Sequence, residues 1–155
     1  MALLATRPCW QCSHCSTLVC PEPAADGLRV TGEAGYMCPV CRQTLVRAVM
    51  DDREPIQVCQ RCKGIFLARR AFVVTLVARR RAADRPSVIP PLGDRRELER
   101  RIACPQCGAV MLTDWYHGPG NIVIDTCEIC DAVWLDAGEF GRVVDAPGSD
   151  RRGQP

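Results

Sequence analysis

The chain has 155 residues and a formal charge of +2, with twelve cysteines, twelve glycines and twelve prolines but only three tryptophans, two tyrosines and three phenylalanines. That length could bury one ordinary core, yet so much proline and glycine with so few aromatics points to small modules held by something other than burial. No apolar run approaches the ~18 residues of a membrane span, and a charge this close to neutral does not describe a globally basic nucleic-acid binder.

Residues 1–35 form a cysteine-rich segment. Met1 to Arg7 carry no apolar stretch of signal-peptide length, so a cytoplasmic chain with reduced thiols is expected rather than a secreted disulfide framework. Cys9, Cys12, Cys15 and Cys20, the last followed by Pro21, leave three readings open. The run differs by one inserted residue from the bacterial ferredoxin pattern for an iron–sulfur cluster. A third zinc held by Cys9, Cys12, Cys20 and either Cys15 or His14 fits the ligand chemistry equally well. Partly free thiols are the third reading.

Residues 36–67 contain Cys38-Pro39-Val40-Cys41 and Cys59-Gln60-Arg61-Cys62. A C-x-x-C pair lets one tight turn present two thiolates to a single ion, and two such turns brought together by a hairpin complete a tetrahedral shell around zinc. Strands are expected over 44–50 and 56–58, around a polar turn at 51–55. An alternative register would pair Cys12 and Cys15 with Cys38 and Cys41 and strand Cys59 and Cys62. The set Cys38, Cys41, Cys59, Cys62 is preferred because Gly64-Ile65-Phe66-Leu67 matches Ala132-Val133-Trp134-Leu135 after the last cysteine pair.

Residues 68–103 are the connecting segment. The stretch 67–85 reads as a helix stopped by Pro86. Its middle is apolar all round, which predicts burial on several sides, within the chain or against a second copy. A proline-stiffened linker over 86–93 and a brief helix over 94–102 follow.

Residues 104–147 repeat the first pattern with Cys104-Pro105-Gln106-Cys107 and Cys127-Glu128-Ile129-Cys130. Strands over 110–116 and 121–126 flank the loop His117-Gly118-Pro119-Gly120. His117 is expected at the surface, since four cysteines already complete the site. Residues 148–155 read as a disordered tail. The expected fold class is therefore a small metal-bound α+β protein: two zinc ribbons, each a β-hairpin with paired cysteine knuckles, joined by an Arg-rich helical segment. Two zinc ions are expected, with a third offered by the N-terminal cluster.

Cys104-Pro105-Gln106-Cys107-Gly108, the hairpin, and Cys127-Glu128-Ile129-Cys130 with its tail Trp134-Leu135-Asp136-Ala137-Gly138-Glu139 resemble the transcription factor IIB-type zinc ribbon family of small bacterial proteins. The resemblance implies a four-cysteine zinc site and a short helix beginning near Gly138-Glu139; the family name records likeness of the ribbon, not a demonstrated transcriptional role. The first ribbon departs from the pattern. It has Arg42 where the second has Gly108, and Ile65 to Arg70 where the second has the Trp-Leu-Asp-x-Gly-Glu tail.

Charge is segregated along the chain. Residues 63–103 carry eleven basic and four acidic side chains, whereas 104–150 carry eight acidic ones and Arg142 alone. Each four-thiolate zinc adds a net of about minus two, so two filled sites bring the whole chain to about minus two. The arginines of the helical middle, Arg69, Arg70, Arg79, Arg80 and Arg81 together with Arg85, Arg95, Arg96, Arg100 and Arg101, are the best-placed phosphate contacts if nucleic acid binds, with ion pairing to the acidic ribbon as the competing role. Saturated four-cysteine sites leave no position for a reacting water, so no enzyme is expected. The leading functional expectation is a zinc-binding adaptor whose ribbons contact a protein partner or a second copy, with a transcription-related or nucleic-acid role behind it. Phe66, Trp115 and Trp134 are either exposed contacts or packing beside the metal. The alternative is an electron-transfer protein with rubredoxin-like or iron–sulfur sites.

Overall fold

A computed structural model of the chain describes residues 28–51, 54–91, 93 and 95–151, together with the backbone of three two-residue strands, Ala2–Leu3 (β1), Trp10–Gln11 (β2) and Leu18–Val19 (β3), paired in the order β1-β2-β3. The N-terminal cysteines Cys9, Cys12, Cys15 and Cys20, His14, and residues 152–155 of the expected tail lie outside the described residues; residues 148–151 of that tail are tied to the fold, Asp150 by Arg80 and the buried Arg151 by the Val144 and Arg85 carbonyls.

One antiparallel sheet organises the rest. Its strands are Leu28–Met37 (β4), Thr44–Met50 (β5), Glu54–Val58 (β6), Ile65–Ala68 (β7), Leu112–Trp115 (β8), Val123–Cys127 (β9) and Ala132–Leu135 (β10), in the spatial order β4-β5-β6-β7-β10-β9-β8. The hairpins β5–β6 and β8–β9 are the two expected ribbon hairpins. The expected helix near Gly138 is present as Glu139–Asp145 (α2), and the brief helix before the second ribbon is a 3-10 turn, Arg95–Glu99. The structure is the expected small α+β fold with two four-cysteine groups.

The joint between the ribbons is a strand pair. β7 and β10 run antiparallel with Ile65 opposite Leu135, Phe66 opposite Trp134, Leu67 opposite Val133 and Ala68 opposite Ala132. Aligning the second knuckles makes Ile65, Phe66 and Leu67 equivalent to Val133, Trp134 and Leu135. The pair Phe66–Trp134 thus maps onto itself, and the pair Ile65–Leu135 maps onto Leu67–Val133. A pseudo-two-fold axis therefore passes between Phe66 and Trp134, and the two ribbons meet as an isologous pair within one chain. Both joint strands are apolar at nearly every position because both faces of the sheet are covered there.

On one face, the helix Arg69–Ala82 (α1) and α2 pack over Met50, Ile56, Ile65, Leu67, Val133 and Leu135. Phe72 makes edge contacts with Tyr116 and Phe140, at centroid distances of 5.3 and 6.1 Å. On the other face, Phe66, Trp134, Leu45, Ile102 and Met111 pack against the buried cysteines.

Within the single chain, the connecting helix is buried on one side only. α1 begins at Arg69, because Leu67 belongs to β7, and it buries Ala71, Phe72, Thr75, Leu76 and Arg80 while Val73 and Val74 stay 44% and 49% exposed. One face meets the sheet and the other meets solvent. The two ribbons are also flanked differently. The residue before the first cysteine pairs alike in each, Met37 with Thr44 and Ala103 with Val110. Upstream of it the first ribbon runs on as β4 along β5, whereas the second turns into the 3-10 helix beside β8.

Candidate metal centre

Four knuckles carry the eight cysteines. In the first, the Cys38 N–H donates to the Gln43 carbonyl at 2.7 Å and the Arg42 N–H to the Cys38 carbonyl at 3.1 Å; the pattern repeats at Cys59–Gly64 and Cys104–Ala109. This winding puts the residue after the second cysteine in the left-handed region, with φ of 62° at Arg42, 63° at Lys63, 75° at Gly108 and 47° at Asp131. Only one of the four is glycine. A Cβ at Gly108 would meet nothing within 4 Å, so glycine answers the backbone requirement there and no lack of space. The departure of Arg42 from the family pattern is thus local strain of about 1–2 kcal/mol, borne by the same turn.

The turns converge as the hairpins require. Cys38, Cys41, Cys59 and Cys62 form one group and Cys104, Cys107, Cys127 and Cys130 the other, with all sulfurs of each group within 4.8 Å of one another. This is the preferred register of the first ribbon. The Sγ separations are 3.5 Å for Cys38–Cys62, 3.3 Å for Cys41–Cys59 and 3.6 Å for Cys107–Cys127. A disulfide needs about 2.05 Å, whereas a tetrahedron with Zn–S of about 2.3 Å places its corners about 3.8 Å apart. The donor set therefore suits a four-thiolate zinc at each centre.

Within each group the thiols are pulled in opposite directions: backbone amides favour the thiolate at Cys41 and Cys107, while burial raises Cys38, Cys62, Cys104 and Cys130. The Cys41 and Cys62 amides point at Cys38 and Cys59 Sγ, at 3.5 and 3.4 Å. Before any metal is counted, the Gln43 backbone brings the Cys41 thiol down to about 7, the Ala109 backbone does the same at Cys107, and burial pushes Cys38 up to about 12. Cys38, Cys59, Cys104 and Cys127 are buried, while Cys107 is exposed.

The aromatics beside the cysteines are packing. Trp134 is fully buried and Phe66 is 2% exposed, so neither is a surface contact; Trp115 is half-buried. His117 is exposed in its loop and belongs to neither cysteine group.

The Trp-Leu-Asp-x-Gly-Glu tail closes the second ribbon through a polar network. The Trp134 indole Nε1 donates to Asp136 at 2.9 Å. Arg100 bridges Asp136 and the fully buried Asp125, which also accepts from the Thr113 hydroxyl at 2.5 Å. The Glu139 carboxylate accepts from the Asp136 amide at 2.7 Å, and its burial raises it to about 7. From sequence Arg100 is read only as a possible phosphate contact and Asp125 is not singled out, because nothing in their spacing marks a pair 25 residues apart.

The arginines named as phosphate contacts divide. Arg80 is fully buried, donating to the carbonyls of Val143, Ala146 and Pro147 and to Asp150, so it closes the C-terminal end of α2. Arg79 pairs with Asp51 at 2.7 Å and lies over the Phe140 ring, and Arg69 pairs with Asp131 at 2.8 Å. Arg70 and Arg81 are exposed.

Two antiparallel hairpins, each clasping four cysteine sulfurs between C-x-x-C knuckles, have the architecture of zinc ribbons. Residues 37–76 match the transcription factor zinc-finger family, the zinc ribbon of the transcription factor IIB type, and the second four-cysteine group is consistent with two such ribbons in tandem. The match falls on the first ribbon, although the second carries the more family-like tail. No curated protein and no solved structure matches the chain. No helix among the described residues is long and apolar enough to cross a membrane.

Proposed function

We propose that the chain is a non-enzymatic adaptor: two structural zinc ions hold a rigid double ribbon whose outer surfaces bind another protein. One observation carries this reading. Each cysteine group already supplies four thiolates, so a bound zinc keeps no coordination position for a substrate, and its contribution is to folding. Cys38, Cys41, Cys59 and Cys62 would hold one ion, and Cys104, Cys107, Cys127 and Cys130 the other. A protein partner is favoured over nucleic acid because Arg80 is spent inside the fold, Arg69 and Arg79 are in ion pairs, and the second ribbon is acidic. A cytoplasmic setting follows from the need to keep these thiols reduced.

Elemental analysis of anaerobically purified protein tests the metal: zinc in a colourless sample is expected, and brown or red protein richer in iron than zinc would favour electron transfer instead. Titration with labelled duplex and single-stranded DNA across salt concentrations tests the partner class. Tight binding with a steep salt slope, abolished by Arg70→Ala and Arg81→Ala together, would put nucleic acid first.

A further inference from the structure

The two ribbons differ in what covers the helix-bearing face of their hairpins. In β5 the residues facing that side include Ala48 and Met50, buried in the core under α1. In the second ribbon Tyr116, equivalent to Met50, still packs against Phe72, but Leu112 and Asp114, equivalent to Val46 and Ala48, are exposed. Met111 is buried on the cysteine side, so its neighbours Val110 and Leu112 turn to the opposite face, where they are 69% and 55% exposed. Leu112 lies opposite Thr126, two residues before Glu128 in the second knuckle, where Ile129 is 76% exposed. Asp114 extends the row and is exposed, as is Glu128. Neither makes an ion pair among the described residues, and a filled zinc site next to them adds a net charge of about minus two. Three exposed aliphatic side chains bordered by unpaired carboxylates are an apolar patch with an acidic rim, the kind of surface that marks a protein contact.

We infer that this end of the β8–β9 hairpin is the docking face, and that it receives a basic amphipathic segment of a partner protein. Aliphatic side chains of that segment cover Val110, Leu112 and Ile129 while its lysines or arginines meet Asp114 and Glu128. The inference rests on the adaptor reading and gives its partner a chemistry. Opposite charge supplies orientation and encounter rate, and the aliphatic contacts supply the desolvated centre of the interface.

The test uses the full-length, zinc-loaded chain, ¹⁵N-labelled and titrated with a helical peptide of leucine and lysine. Amide shifts concentrated at 110–114 and 126–131 are expected, weakening with salt. Glu128→Lys and, separately, Leu112→Ser should each loosen binding about ten-fold, whereas Glu97→Lys, the same charge change on the 3-10 helix, should stay within about two-fold. Equal shifts with a leucine and glutamate peptide, shifts centred elsewhere, or wild-type binding by both variants would overturn the inference. Loss of the same signals with rising protein concentration, without peptide, would make a second copy the occupant and overturn the assignment to a partner. These failures leave zinc content unchanged, whereas failure of the adaptor reading appears as iron in the sites or as selective nucleic-acid binding.

Discussion

Gly64 and Trp134 test how tightly the two ribbons are interlocked. A Cβ built on Gly64 would fall 2.1 Å from Trp134 Cζ2, 2.7 Å from Cη2 and 2.9 Å from Cε2. Carbon contacts are comfortable only at about 3.5–4.0 Å, so Gly64→Ala requires the indole to retreat by roughly 1.5 Å. The ring has little freedom to do so, being fully buried, opposite Phe66 and tied to Asp136. Overpacking of this kind costs about 1–3 kcal/mol, offset by about 0.4–1 kcal/mol because alanine restricts the unfolded chain more than glycine does. A net loss of about 1–2 kcal/mol is expected. Trp134→Phe alone should cost about 2–3 kcal/mol through lost volume and a lost hydrogen bond to a carboxylate. The double variant gives both ribbons the same residues, alanine and phenylalanine, at these equivalent positions, and its loss should fall short of the sum by at least ~1 kcal/mol. Urea unfolding followed by far-ultraviolet circular dichroism, in a zinc-buffered solution, measures all four corners of the cycle. Losses that add to within ~0.5 kcal/mol would refute the interlock.

Arg80→Ala should cost about 3–5 kcal/mol, since it strands the last carbonyls of α2 and leaves Asp150 without its partner, while Arg81→Ala, at an exposed position, should stay within ~0.5 kcal/mol; thermal melts at constant zinc compare them. Glu139 gives a pH dependence. Its carboxyl is raised from 4.5 to about 7 in the folded chain, so the folded state holds this proton longer than the unfolded state and its contribution to stability falls as pH rises between those values. Relative to Glu139→Gln, the wild type should lose about 2 kcal/mol between pH 5.5 and 7.5, at about 1.4 kcal/mol per pH unit; a constant difference across that range would contradict the burial argument. Arg42→Gly should stabilise the first ribbon by about 0.5–1 kcal/mol, because it removes a side chain from a φ of 62°; a lower urea midpoint would show that the arginine side chain contributes more than its backbone strain costs.

The parts of the fold governed by short-range chemistry were legible in the sequence. C-x-x-C spacing marked the knuckles, polar turns marked both hairpins, and the match between the segments after Cys62 and Cys130 selected the register in which Cys38, Cys41, Cys59 and Cys62 converge. What escaped was long-range pairing. β4 contains Gly32 and Gly35, has a positive φ at the latter and slips register twice, so it shows no period-two alternation to read. The joint strands Ile65–Ala68 and Ala132–Leu135 are continuous apolar runs, which periodicity alone cannot tell from buried helix, and one of them had lent Leu67 to the expected α1. Arg80 looked like surface charge because a buried guanidinium is legible only once its carbonyl acceptors, more than sixty residues downstream, are brought beside it.

The axis between Phe66 and Trp134 has a consequence for how such a chain can change. Were a solitary ribbon to associate with an identical twin through this same strand, one residue would face its own duplicate, and any enlargement would be imposed on both sides of the seam at once. Linking the halves covalently removes that restriction: a bulky indole on one side can be matched by a bare backbone on the other, a lock-and-socket asymmetry unavailable to two copies of one gene product.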